Sequence, residues 1–204
     1  MYDAYREQEN NPVKYARGND IRGLENVLYV CPHCGTEHTM QVREISTIFC
    51  TACGYAQTAD EYGFLHNTEG LGEELRYVSD WSRRIYSDLR CQVEQGRVTS
   101  LSCTAKIHMI DYDKHKFREV GEAAVTLDRD SFTVTGTIHG ECVDMKISIG
   151  GLPTLPFSPG KYFEIQDGKN IYRCVPDDGK LVMKFINLVK IFYSLSHPAP
   201  QKVN

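Results

Sequence analysis

Four cysteines are the residues of this chain whose type and spacing imply a definite chemistry. Cys31 and Cys34 bracket Pro32 and His33, Cys50 and Cys53 bracket Thr51 and Ala52, and fifteen residues separate the pairs. Two residues between cysteines let a tight knuckle aim both sulfurs at one ion, and two knuckles facing each other make a tetrahedral site. Gly35 and Gly54 follow the pairs, where the knuckle bends most easily without a Cβ. All four ligands are thiolates, so no position is left open for water or substrate. A metal held in such a closed shell is structural rather than catalytic.

The expected cofactor is one structural Zn2+ on Cys31, Cys34, Cys50 and Cys53. Iron in a rubredoxin-like electron carrier uses similar knuckles, and a dithiol–disulfide pair is the third alternative. His33 and His38 lie near enough in sequence to compete as ligands, yet each reads as an exposed imidazole.

No catalytic constellation accompanies the cysteines. The sequence lacks a nucleophile elbow, a Walker loop, a dinucleotide fingerprint and an H-E-x-x-H helix. Two His-x4-Asp pairs occur, His108 with Asp113 and His139 with Asp144. That spacing resembles the pair used by glycerolipid acyltransferases, where the histidine deprotonates an acceptor hydroxyl and the aspartate orients it, the division of labour seen in triads. Both pairs fall in or beside expected strands, and no phosphate-binding block follows either, so both read as coincidence. The expectation is a chain that is not itself an enzyme.

The elements that must position these residues follow from periodicity. Residues 1–26 are a polar arm or linker. Residues 27–66 are the ribbon: Val27–Val30 leads into the first knuckle and Thr47–Phe49 into the second. Residues 67–204 hold a helix, a run of strands and a last helix. Trp81, Ile85 and Leu89 recur every fourth residue, with Ser79 or Asp80 as N-cap, and Trp81 reads as the anchor of that helix on a sheet. Val143, Met145, Ile147 and Ile149 alternate with polar residues, as do Ala123, Val125 and Leu127. Asp167-Gly168 marks a hairpin. About Gly179–Ser196 reads as a helix with a wide apolar face and a lysine stripe. The fold class expected is mostly β with two helices. A small four-cysteine zinc ribbon precedes a β-barrel that resembles the pleckstrin-homology and GRAM architecture and is capped by the C-terminal helix.

Gly23–Cys34, Cys50–Tyr55, Tyr62-Gly63-Phe64 and Asp80-Trp81 together resemble the C-terminal extension of 1-acyl-sn-glycerol-3-phosphate acyltransferase-like proteins of Firmicutes. There a catalytic core is followed by a polar linker, a four-cysteine ribbon, a tryptophan-bearing helix and a β-rich domain. The resemblance implies a non-catalytic accessory or regulatory module in phospholipid biosynthesis, with the acyltransferase core or another protein as partner. Only the four cysteines carry over from that family.

Composition narrows the partners. The net charge is −4, and Arg43 is the sole cation between residues 27 and 66, against Glu37, Glu44, Asp60 and Glu61. Phosphate backbones demand clustered cations, so a nucleic-acid-binding or transcription-associated module is the disfavoured alternative. The lysine stripe keeps contact with membrane lipid open. Cys91, Cys103, Cys142 and Cys174 are scattered, as free thiols in a reducing compartment are. The first 26 residues are polar and no apolar run reaches the ~18 residues of a membrane span. The expected location is cytoplasmic, with peripheral attachment to the cytoplasmic membrane as a variant.

Overall fold

The computed structural model describes residues 4–17, 19–111 and 113–197 and divides into two units, Met1–Asp88 and Leu89–Asn204. In the first, strands β1 (Met40–Arg43), β2 (Thr47–Cys50), β3 (Ala56–Ala59) and β4 (Leu65–Asn67) form an antiparallel meander in that order. Leu28, Met40, Ile48, Leu65 and the rings of Tyr29, Tyr55 and Trp81 are buried in it. Such a core is small, and within it the Thr47 hydroxyl pairs with that of Thr58 at 2.8 Å.

Residues 1–26, expected as a polar arm or linker, hold local structure. Ala4–Asn10 form a helix, α1. Gln8 on that helix is buried, and its amide bonds the carbonyls of Val13 and Tyr62 and accepts from the Val13 N–H. Further on, Tyr15 N–H donates to Glu61 O (3.1 Å) and Ile21 N–H to Ile45 O (2.8 Å). The composition is polar because the arm docks through hydrogen bonds rather than apolar burial. Three α-helices, not two, stand among the described residues.

Helix α2 (Val78–Glu94) starts one residue before the expected caps, so Ser79 and Asp80 lie in its first turn. Asp80 there pairs with Arg83 at 2.9 Å. The helix runs through the residue at which the two units part.

In the second unit, β5 (Ser100–Asp111), β6 (Lys116–Asp128), β7 (Ser131–Ile138) and β8 (Glu141–Ser148) form one meander. β9 (Phe157–Ser158), β10 (Tyr162–Asp167) and β11 (Asn170–Pro176) form another, and β11 joins β5. The sheet order is β8-β7-β6-β5-β11-β10-β9, antiparallel throughout. Gly136 is required where β7 passes β6: a Cβ there would lie 2.4 Å from Glu122 O.

The expected barrel is not formed. No sheet closes, and the pleckstrin-homology or GRAM-like assignment falls with it, because β8 and β9 end the sheet without pairing to each other. The physical reason lies in the strand that would have to close it. β9 is two residues long and is flanked by Pro156 and Pro159, which have no N–H to donate to a ladder. Helix α3 (Leu181–Ser196) therefore covers sheet rather than plugging a barrel end. Phe185 sits at ring-centroid distances of 5.0 Å from Phe163 and 6.1 Å from Phe132, and Phe185, Leu188 and Phe192 are buried. Elsewhere in this unit Arg173 lies between the rings of Phe117 (3.6 Å) and Tyr162 (3.9 Å), and two of its N–H groups meet Glu164 Oε1 at 3.0 and 2.7 Å.

Two outcomes follow for this unit. Phe185→Ala leaves a cavity in the three-ring cluster and should cost roughly 3–5 kcal/mol, read as a lowered urea midpoint. An unchanged midpoint would mean that α3 does not contribute to the fold through this cluster. The second concerns Asp128, whose Oδ1 accepts from the N–H groups of Asp130 (2.8 Å) and Ser131 (2.7 Å) in the β6–β7 turn. Burial alone would raise its carboxyl, but those donors outweigh burial and hold it below the ordinary carboxylate value. A folded value below the unfolded one gives stability that is complete above the unfolded carboxylate range and is lost as pH falls through the folded value. Asp128→Asn should thus be less stable than wild type at neutral pH and converge with it in acid, measured by thermal melts across pH.

Candidate metal centre

The two knuckles are built from matching backbone turns. Gly35 N–H donates to Cys31 O (2.9 Å) and Gly54 N–H to Cys50 O (3.0 Å), and both glycines have positive φ, 73° and 80°. The first knuckle follows a single antiparallel bridge, Val30 to Glu37, and the second leaves the end of β2. Met40 on β1 pairs in register with Cys50, which places the knuckle carried by one strand over the start of its neighbour.

The four sulfurs all lie within 4.8 Å of one another. Cys31 Sγ stands 3.6 Å from Cys53 Sγ, and Cys34 Sγ stands 3.8 Å from Cys50 Sγ. Four sulfurs at about 2.3 Å from a shared ion in tetrahedral directions are about 3.8 Å apart. A disulfide would need about 2.05 Å, and all eight cysteines of the chain are free thiols. The cluster is therefore a four-cysteine site compatible with a structural metal.

Its surroundings favour the thiolate at two of the four sulfurs and oppose it at the other two. The Thr36 hydroxyl, 3.3 Å from Cys34 Sγ, and the Thr36 N–H pull that thiol down to about 6. At Cys50, burial pushes upward, but the Thr39 hydroxyl at 3.2 Å and the N–H groups of Cys53 and Ala52 outweigh it. Burial dominates at Cys31 and Cys53 and raises both, against N–H donors from Cys34 and His33 to the one and from Tyr55 to the other. The knuckles thus aim backbone N–H groups at the sulfurs, and a bound dication would complete the ionisation of all four.

Two histidines considered as ligands lie outside the cluster. His33 is exposed and stacks on Tyr55 at 6.3 Å, while His38, at φ 61°, stacks on Tyr29 at 5.4 Å. The His-x4-Asp residues take separate places in the β unit. His139 occupies the β7–β8 turn and Asp144 lies on β8, accepting from the Thr135 hydroxyl at 3.2 Å. His108 lies on β5 opposite Glu119 and Arg173, and Asp113 sits in the following turn with its N–H on Asp111.

Sequence reading missed what buttresses the metal site. Thr36 and Thr39 set hydroxyls against its sulfurs; for Thr36, its place two residues beyond Cys34 was the available signal. Trp81 anchors α2 as expected, but on the ribbon: its Nε1–H donates to Val30 O (3.0 Å) and its ring meets Tyr55 edge-on at 5.9 Å. Tyr55 in turn lies 2.7 Å from Glu73 O and 2.8 Å from the Gln57 amide. A phenol has one proton. That proton is shared between the Glu73 carbonyl and Gln57 Oε1, and Gln57 Nε2 is buried without a hydrogen-bond partner among the described residues. A cleft of about 290 Å³ runs along the first knuckle, walled by Trp81 and Ile85 and rimmed by His33, Arg84 and Asp88.

Comparison with protein-family models finds no match, and comparison with curated proteins finds none. Among solved structures the chain is similar to the crystal structure of the Ran binding domain from the nuclear complex component Nup2 of Ashbya gossypii. The identity is 16%, the TM-score 0.33, and the match covers 47% of this chain and 99% of that one. At that score the likeness carries no argument.

Trp81 is the only tryptophan and bonds the residue before Cys31, so it reports on the centre. Removing the metal with a chelator at neutral pH, or replacing Cys50 by Ser, should red-shift its emission. Hydrogen exchange should show the β unit's amides still protected. Unmoved emission after verified metal loss would show that the ribbon stands without the ion.

Proposed function

We propose that this chain is a non-catalytic, zinc-bearing accessory or regulatory module, the C-terminal part of a phospholipid-synthesis acyltransferase, acting through a protein or lipid contact. The observation that carries the first half is the closed shell: four cysteine sulfurs converge, which leaves a bound zinc nothing to offer a substrate. Zinc is favoured over iron by the spacing of the pairs. The acyltransferase connection rests on the sequence resemblance around the ribbon and the Asp80-Trp81 helix.

Charge argues against nucleic acid. Residues 1–88 carry fourteen carboxylates against eight lysines and arginines, an unfavourable field for a phosphate backbone. Among the described residues no helix is long and apolar enough to cross a membrane, so lipid contact would be made at a surface.

The test is a single preparation of the whole chain. Elemental analysis should give one zinc per chain and no visible charge-transfer band; iron with such a band would replace this reading by electron transfer. The same protein, given acyl-CoA and lysophosphatidate, should produce no phosphatidate. Turnover abolished by His108→Ala or His139→Ala would make the chain an enzyme.

A further inference from the structure

β8 ends the seven-stranded sheet and pairs with β7 alone. The two ends of that sheet are built differently. β9 is short and flanked by prolines, the usual means of blunting an edge. β8 has eight residues, no proline, no glycine, and an unbroken register from Ile138↔Glu141 to Ser131↔Ser148.

The direction of its free hydrogen-bonding groups is fixed by the turn. His139 and Gly140 have φ 53° and 81°, a two-residue loop that makes Ile138 and Glu141 a hydrogen-bonded pair. At the other end Ile149 N–H donates to Asp130 O (3.0 Å), which keeps the odd-numbered residues bonded toward β7. Cys142, Asp144, Lys146 and Ser148 therefore turn their N–H and C=O groups outward, and their side chains are exposed. Met145 is buried on the opposite face.

We propose that β8 is a homodimerisation edge, pairing antiparallel with β8 of a second copy about a twofold axis at Met145. The charges select the partner and the register. With Met145 opposite itself, Asp144 faces Lys146 of the other copy twice, Val143 faces Ile147 twice and Cys142 faces Ser148 twice. The residues that direct hydrogen bonds outward then oppose one another, as an antiparallel ladder requires. Sliding the strands by two residues puts Lys146 against Lys146 or Asp144 against Asp144, and like charges directly opposed are unfavourable. Asp144 gives one oxygen to the Thr135 hydroxyl, and its other oxygen is available to the incoming lysine.

Analytical ultracentrifugation of the metal-loaded full chain tests this. Wild type should show a concentration-dependent dimer. Lys146→Asp should raise the dimer dissociation constant by about tenfold or more, and the Asp144→Lys, Lys146→Asp double swap should restore it. Independently, Met145→Cys in a Cys142→Ser background should form a disulfide-linked dimer on mild oxidation, because a non-hydrogen-bonded pair brings Cα atoms to about 4.5 Å. A wild type that stays monomeric at every concentration overturns the proposal. So does a dimer that the single swap does not weaken or the double swap does not restore, and so does a dimer in which the Met145→Cys variant fails to cross-link.

Discussion

The first unit is organised around four cysteine sulfurs that all lie within 4.8 Å of one another. Thiolates held within a few ångströms of one another are unstable together unless a cation sits among them. A metal ion held by the four cysteines would fix that geometry, and its binding free energy would then count toward the folding of the unit. Every nearby feature serves the same end. Glycine-bent knuckles present N–H groups, threonines present hydroxyls, and the Tyr55–Trp81–Val30 contacts brace the first knuckle from behind.

The second unit rests on different physics. Its strands alternate, its inner face is closed by the Phe132–Phe163–Phe185 cluster and α3, and no cysteine chemistry is needed. The chain thus pairs a unit built around a four-cysteine site with one stabilised by ordinary apolar burial.

What the sequence made legible follows from how local each signal is. The cysteine pairs and their glycines encode the metal site within five residues each. The alternation of Val143, Met145 and Ile147 and the apolar face of α3 are equally local, and both elements stand where periodicity placed them. Sheet closure is not local. Whether β8 meets β9 depends on how many backbone donors survive between Pro156 and Pro159, which no hydrophobic pattern records. The docking of the polar arm left no signal for a related reason. Gln8 and the backbone groups of Tyr15 and Ile21 hold it by hydrogen bonds to residues 45, 61 and 62, and hydrogen-bonded docking leaves no period in a polar sequence. Nor did Trp81 announce its partner, since an amphipathic helix shows which face is buried but not against what.

The docking of Trp81 and of the arm changes what counts as the ribbon. A fragment cut at residues 27–66, the span of the knuckles and their strands, would keep all four sulfurs. It would lose Gln8 and Ile21 at one end and Glu73 and Trp81 at the other, exposing the Val30 carbonyl and one face of Tyr55. The ribbon in this chain is therefore not a portable finger that evolution or an engineer can transplant by its cysteines. Its heritable block runs from α1 through the first half of α2, and recombination inside that block would separate a metal site from the wall it leans on.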